Sequence, residues 1–526
     1  MVRARNELIL ADLIAARAET HAELDVLTFE HLSLDRGATP DEVRTFADLH
    51  QNANRIAAAL VARGVKPGDR FALMMRNHPE FVEAMIAASI TGAVFVPIDP
   101  RTRGEKLAFM LGNSGCVGIV CAEYCVPEVE AVRARLPALR WTLVRGTTLR
   151  DVLAREVATM EVRVDDANAP LQIMYTSGTT GDPKGIVGSN YRFCAAGMLG
   201  MLFGYRPDER PYTGLSLTHG NAQSVTLAPA LTMALRAVFS PRFTKSRLWD
   251  VCRKHGCTTF SLVGGMATAI YSEPPRADDA DNPVRVVVSG GMPSAVWRVF
   301  EQRFATEILE FYGAMDGGGM AYKPISEGPV GSFGKPMPGV EMKILDEAGN
   351  ECAPGVVGEI GVRPAGGGEA TVEYHGNPDA SRKKIRGGWN RSGDMGHRDA
   401  EGWLFFDYRA GGGIRHNGDF IDPSFVEKAI AELPEVTDVF VYGVPAASGA
   451  PGEKDVVAAI VLAPDARLDP AAIFAGCRRS LEPNFVPSYL QIVDEIPKTA
   501  SEKPQERFLI DRFDPHAPNV HRQPSG

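Results

Sequence analysis

The chain has 526 residues, 44% of them hydrophobic and 23% charged, with a formal charge of -9. That length and balance describe a globular protein with several cores, and an acidic total without any run of like charges excludes the basic footprint of a nucleic-acid binder. The cysteines, Cys116, Cys121, Cys125, Cys194, Cys252, Cys257, Cys352 and Cys477, form no CxxC pair and have no histidine at metal-ligand spacing, so they read as reduced thiols of a cytoplasmic protein.

The N-terminus interrupts its apolar residues with Arg3, Arg5, Glu7 and Asp12, unlike a signal peptide. From Phe46 to Val120 helix and strand patterns alternate. An amphipathic stretch runs to Ala62, Gly64 and Gly68 make turns, Phe71 to Met74 is a strand and Phe81 to Ser89 a second helix. Ala84 to Ile98 is the longest apolar stretch. It is too short for a membrane span and is broken by Gly92 and Pro97, so it reads as a buried helix, a turn and a strand. The polar stretch from Thr147 to Asn168 reads as a surface connection, and Leu171 to Tyr175 as a buried strand.

Directly after that strand comes Tyr175-Thr176-Ser177-Gly178-Thr179-Thr180-Gly181-Asp182-Pro183-Lys184-Gly185. Glycines let backbone N–H groups approach an anion, the hydroxyls add short donors and Lys184 adds a positive charge, so the run reads as a phosphate-holding loop. Pro183 before Lys184 and Gly185 after it depart from the Walker spacing, which disfavours an ordinary P-loop NTPase.

Farther on, Val284 to Val288 is a β-branched strand ending in Ser289-Gly290-Gly291, with Ser294 as the expected cap of a helix through Trp297 to Phe304 and Ile308 to Tyr312 as the next strand. Gly and Pro thicken from Gly328 to Gly368 around short alternating runs, Val340 to Leu345 and Gly358 to Val362, which argues for a small β subdomain. The triplet Gly411-Gly412-Gly413 marks a break. Beyond it, helices at Pro423 to Ala431 and Pro470 to Leu481 and strands at Val436 to Tyr442 and Val456 to Leu462 make a last small domain.

The phosphate loop, Ser289-Gly290-Gly291-Met292-Pro293, Tyr312-Gly313, Arg391-Ser392-Gly393-Asp394 and Pro497-Lys498-Thr499-Ala500-Ser501-Glu502-Lys503 occur in the order seen in adenylate-forming enzymes. From Thr45-Phe46-Ala47-Asp48-Leu49 to Lys503 the chain resembles the acyl-CoA synthetase, luciferase and peptide-synthetase adenylation superfamily. The resemblance implies an α/β fold. A large N-terminal domain (1–410) holds two doubly wound α/β subdomains and a small β subdomain, and a small mobile α+β C-terminal domain (411–526) carries the catalytic lysine.

It also implies a two-step reaction: a carboxylate attacks the α-phosphate of ATP and expels pyrophosphate, then a thiol takes the acyl group. By resemblance Thr176, Ser177, Gly178, Thr179, Thr180, Gly181 and Lys184 cradle the phosphates, while Lys503 bridges the substrate carboxylate and the α-phosphate. Gly290, Gly291, Met292, Tyr312 and Gly313 line the adenine; Asp394 and Arg409 take the ribose. His219, Gly265 and Gly317 belong to the acyl pocket, where the glycines would leave room for a bulky acid. Gly418 enters the CoA channel, Gly411 is the hinge and Asp316 binds Mg²⁺.

The chain departs from the family at five places. Met315 stands where a threonine touches the α-phosphate, Asp316 replaces a glutamate, and Gly411 replaces the usual hinge Asp or Lys. Glu502 replaces a glycine, adding a negative charge that would favour protonated Lys503, and Asn190 replaces a common histidine. The expected activity is an AMP-forming carboxylate:CoA ligase using ATP, Mg²⁺ and CoA on a small-molecule carboxylic acid, without nucleic acid or a membrane span, and with a homodimer left open. Two alternatives stand beside it, a stand-alone adenylation enzyme acylating a carrier-protein thiol and a catalytically weakened adenylate- or acyl-binding homologue.

Overall fold

The computed structural model describes residues 4–35, 38–175, 183–317, 319–410, 414–416, 419–447, 453–464, 466, 468–499 and 502–524, with the side chains of 419 and 420 left aside. The chain divides into two compact units, Met1–Ser261 with Glu373–Arg382, and Leu262–Val372 with Lys383–Gly526.

In the first unit a six-stranded sheet runs in the order Trp141–Val144, Cys116–Cys121, Arg70–Met74, Val94–Pro97, Pro170–Tyr175, Gly185–Ser189. Its first five strands are parallel and the last is antiparallel. The helix Phe46–Ala62 starts where the sequence predicts, because Thr45 and Asp48 form a capping box. The Asp48 N–H donates to the Thr45 hydroxyl (3.1 Å) and the Thr45 N–H to the Asp48 carboxylate (2.9 Å). Leu49, Ala53, Ile56 and Leu60 repeat at helical spacing and are fully buried. The apolar stretch resolves as expected into the wholly buried helix Pro79–Thr91, a left-handed Gly92 (φ 70°) and the strand Val94–Pro97. The stretch expected as a surface connection opens with the short helix Thr148–Leu153, held down by buried Leu149 and Val152, and then runs without a regular element to Pro170. A second sheet of this unit orders Glu42–Thr45, Asp25–Phe29, Ala237–Phe239 and Pro211–Thr213, and Pro211 and Tyr212 pair with Thr259 and Phe260.

In the second unit the parallel pair Val286–Gly290 and Glu307–Gly313 continues through antiparallel strands Met320–Lys323, Ser332–Pro336, Leu404–Arg409, Trp389–Arg398, Gly358–Pro364 and Val340–Leu345. The expected β portion is therefore joined edge to edge to the α/β strands before it. Helix Ser294–Phe304 begins one residue earlier than a Ser294 cap would require. Pro293 is its N-cap position, and the Ser294 hydroxyl donates to Asp422 (3.1 Å).

The C-terminal segment has its own core. Val436–Pro445, Lys454–Leu462, Tyr489–Ile492 and Val520–Arg522 form a sheet covered by Pro423–Ala431 and Pro470–Ser480, with Val426, Ile430, Val456, Ile460 and Phe474 buried between them. Both helices open on an Asp-Pro pair, and the Asp422 and Asp469 carboxylates accept from Ser424 N–H and Ala472 N–H. All eight cysteines are free thiols. Among the described residues no helix is long and apolar enough to cross a membrane.

Since the capping box satisfies two N–H groups at the start of Phe46–Ala62, Thr45→Ala should destabilise the first unit by about 1 kcal/mol, read as a lowered denaturation midpoint.

Candidate active site

Strand Pro170–Tyr175 lies antiparallel to Gly185–Ser189, with Tyr175 opposite Gly185, so the phosphate loop is the connection between two neighbouring strands. Thr176, Ser177, Gly178, Thr179, Thr180 and Gly181 lie outside the described residues. Lys184 is described, and its ammonium sits 5.2 Å over the ring of Tyr374. That buried tyrosine is tied to the same hairpin, pairing with Ile186 while the next N–H, of His375, donates to the Gly185 carbonyl (2.7 Å). Gly185 has a steric reason, since a Cβ there would come within 2.8 Å of Ile173. Nothing in the sequence links Tyr374 to Lys184, because the contact is made only by the fold.

The expected nucleoside residues converge within the second unit. Gly290 ends one strand, and Gly291 follows with φ 111°, a conformation that favours glycine. The N–H groups of Gly291 and Met292 (3.0 Å for the latter) both donate to the carboxylate of Glu310 on the adjacent strand. Glu310 is buried, and burial pushes its carboxyl up to about 7 against the opposing pull of those N–H groups and of Lys323, its cross-strand partner. Sequence reading missed this residue. The available signal was its position two residues before Tyr312, which puts both on one face of the strand.

Tyr312 stacks on Phe333, ring centroids 4.7 Å apart, and its hydroxyl donates to Asp394 (2.7 Å). Asp394 is buried and lies directly across the ladder from Arg409, whose Nε is 3.0 Å from its carboxylate. The Arg409 side chain is 60% exposed. Gly313 ends the Tyr312 strand.

Lys503 stands close enough to Asp394 and Arg409 for their charges to act on it. Its side chain is open to water, yet the protein mass around it lowers the ammonium pKa; Arg409 lowers it further and Asp394 opposes both. The net shift of Lys503 is thus downward, the opposite of the direction expected from a negative charge at Glu502. Glu502 instead adopts a left-handed conformation (φ 57°), which explains why glycine suits that position. The turn is closed by Thr499, whose N–H donates to the Lys503 carbonyl (2.8 Å) and whose carbonyl accepts from Glu502 N–H (3.0 Å).

Other expected residues lie elsewhere or carry other duties. Asp316 is ion-paired with Lys384 at 2.9 Å, and among the described residues no group of three or more His, Cys, Asp or Glu side chains could hold a metal. Gly317 needs no side chain because its φ is 81° and a Cβ would meet the Thr371 carbonyl at 3.2 Å. A Cβ on nearby Gly319 would meet the side chains of Val362 at 2.5 Å and Val340 at 2.8 Å. A Cβ on Gly265 would make ordinary contact with Pro504 (3.7 Å), next to Lys503. His219, in the first unit, accepts from Asn221 N–H (3.3 Å) just before the π-helical stretch Ala222–Leu227. Asn190 is structural, fully buried and accepting from Ser89 Oγ (2.8 Å) and Leu10 N–H (3.3 Å). Gly411 and Gly418 lie outside the described residues.

Residues 15–368 match the family of AMP-binding enzymes, and residues 426–503 match the AMP-binding enzyme C-terminal domain. The chain belongs to the AMP-binding, adenylate-forming enzymes. Within them it is an acid–thiol ligase of the acyl-CoA synthetase kind. It is 30% identical over 486 residues to the medium/long-chain-fatty-acid–CoA ligase FadD17 of Mycobacterium marinum, covering 90% of this chain and 93% of that one. To the sulfoacetate–CoA ligase of Cupriavidus necator it is 28% identical over 514 residues, covering 95% and 97%. The crystal structure of the anthranilate CoA ligase AuaEII in complex with anthranoyl-AMP shares the fold, with a TM-score of 0.82 at 23% identity and coverage of 95% and 96%.

A carboxyl at about 7 in the folded ligase and near 4.5 when unfolded binds more protons folded than unfolded, so stability falls as pH rises between those values. Glu310→Gln should flatten that fall, measured as the difference in denaturation midpoint between pH 5 and pH 8. An unchanged slope would remove Glu310 as its source.

Proposed function

We propose that this ligase joins a fatty acid to CoA through an acyl-adenylate formed beside Tyr312, Asp394, Arg409 and Lys503. The observation that carries the reading is that Lys503, from the end of the chain, comes within reach of the charges of the buried Asp394 and its exposed cross-strand partner Arg409. In the first step a carboxylate oxygen attacks the α-phosphorus of ATP, the bond to the β-phosphate oxygen breaks and pyrophosphate leaves. In the second the CoA sulfur attacks the acyl carbon and AMP leaves.

The first step presses two anions together, so fixed positive charge and donors at the developing phosphorane do most of the work. Lys503 is suited to that place because its charge rides on a flexible stem. Asp394 would accept from the ribose hydroxyls. Tyr312, held upright by Phe333 and by its bond to Asp394, would present its ring to the adenine, with the Gly290–Met292 turn below it. Lys184 and the adjacent loop would take the departing pyrophosphate. ATP with its magnesium, CoA and the acid are the small molecules of this reading.

We place the division between the large and small domains at 410/411. Supporting that boundary, the segment after it has its own buried core and the match to the C-terminal domain family falls inside it. The fatty-acid assignment is supported by the 30% identity to a medium/long-chain-fatty-acid–CoA ligase.

Lys503→Ala should lower acid-dependent ATP–pyrophosphate exchange by about 100-fold or more, while thioester formation from a supplied acyl-adenylate persists. In a panel of acids with ATP, Mg²⁺ and CoA, C8 to C16 fatty acids should exceed acetate, sulfoacetate and benzoate in AMP release. Thioester formed on a holo-carrier protein but never on CoA would overturn the acceptor, and equal turnover of acetate would overturn the acid.

A further inference from the structure

The surroundings of Asp316 do not fit a divalent metal. Its carboxylate is 2.9 Å from the ammonium of Lys384, and both side chains are mostly buried, 14% and 17% exposed. The same ammonium donates to the Ser392 carbonyl (3.1 Å), and the Asp316 carbonyl accepts from the Asn390 side chain (2.7 Å). Lys384 therefore ties the turn after Tyr312 to the strand that carries Asp394 two residues past Ser392.

A hard divalent cation gathers several oxygens and repels a neighbouring ammonium. To reach the Asp316 carboxylate it would have to displace Lys384 and leave a largely buried lysine without its counter-charge, which is strongly unfavourable. The shorter reach of aspartate compared with glutamate acts in the same direction, since it keeps the carboxylate back beside the lysine.

We propose that Lys384 is a built-in cation replacing a protein-held metal at Asp316, so that magnesium reaches this ligase on ATP alone and Asp316 is not one of its ligands. Lys384 is a positioning residue in this arrangement, keeping the Asp316 turn docked on the Arg391–Asp394 strand. The proposal rests on the adenylation reading only for the nucleotide's place, and it is tested by metal binding itself.

Mn²⁺ is titrated by electron paramagnetic resonance into the full-length protein, alone and with a non-hydrolysable ATP analogue, for the wild type, Asp316→Asn, Lys384→Met, Lys384→Arg and the Lys384→Met/Asp316→Asn double variant. Wild type and Asp316→Asn should bind Mn²⁺ within twofold of each other in both states. Lys384→Met should make binding of the Mn²⁺–analogue complex depend on Asp316, by fivefold or more against the double variant, whereas Lys384→Arg should behave as the wild type. A tenfold weakening by Asp316→Asn in the wild-type background would overturn the proposal, as would a Lys384→Met protein that shows no new dependence on Asp316. The comparison of wild type with Asp316→Asn decides the matter even if Lys384→Met does not fold. Absence of acid activation in the panel would overturn the fatty-acid reading without altering the metal result.

Discussion

Two backbone N–H groups at a bend between strand and helix must find acceptors, and here one buried carboxylate takes both. Glu310 grips Gly291 and Met292, and the strand that carries it is hydrogen-bonded on one side to Val286–Gly290 and on the other to Met320–Lys323. Because residues two apart share a face, the same strand delivers Tyr312 beside the turn that Glu310 shapes. A carboxyl with its proton affinity raised by burial is costly to keep ionised, so its persistence in the core points to the value of a fixed turn at that place.

The charges of the site are arranged around one acid. Asp394 accepts from Tyr312, pairs with Arg409 and acts on Lys503. The acid is buried while Arg409 keeps its side chain largely in water, so the arginine can exchange its partner for a ligand oxygen at little desolvation cost. Tyr312 is less replaceable, since its ring is packed on Phe333 and its hydroxyl is already directed at the acid.

Local signals were legible within a residue or two. The amphipathic stretch to Ala62 is Phe46–Ala62, the helix expected from Pro423 is Pro423–Ala431, and alternation marked Val340–Leu345, because caps, proline and pleat act over a few positions. The site motifs were legible as types and in order, and the fold brings Tyr312, Asp394, Arg409 and Lys503 together. Partnerships across the sheet were not legible. Lys384 on Asp316, Tyr374 under Lys184 and Glu310 under Gly291 depend on strand order, and no spacing in the chain encodes them. Ser294 looked like a cap because its type and position suited one, but its hydroxyl is engaged by Asp422.

The turn at Lys503 also sets a timescale. Thr499 fixes the lysine's backbone from both sides, through the Lys503 carbonyl and, with its hydroxyl, the Lys503 N–H (3.2 Å). With the main chain held, reaching toward the nucleotide or withdrawing from it is a matter of rotamers along an exposed four-carbon stem, and such flips take picoseconds to nanoseconds. In the role proposed for it, the lysine's own side-chain motion is thus far too fast to limit turnover.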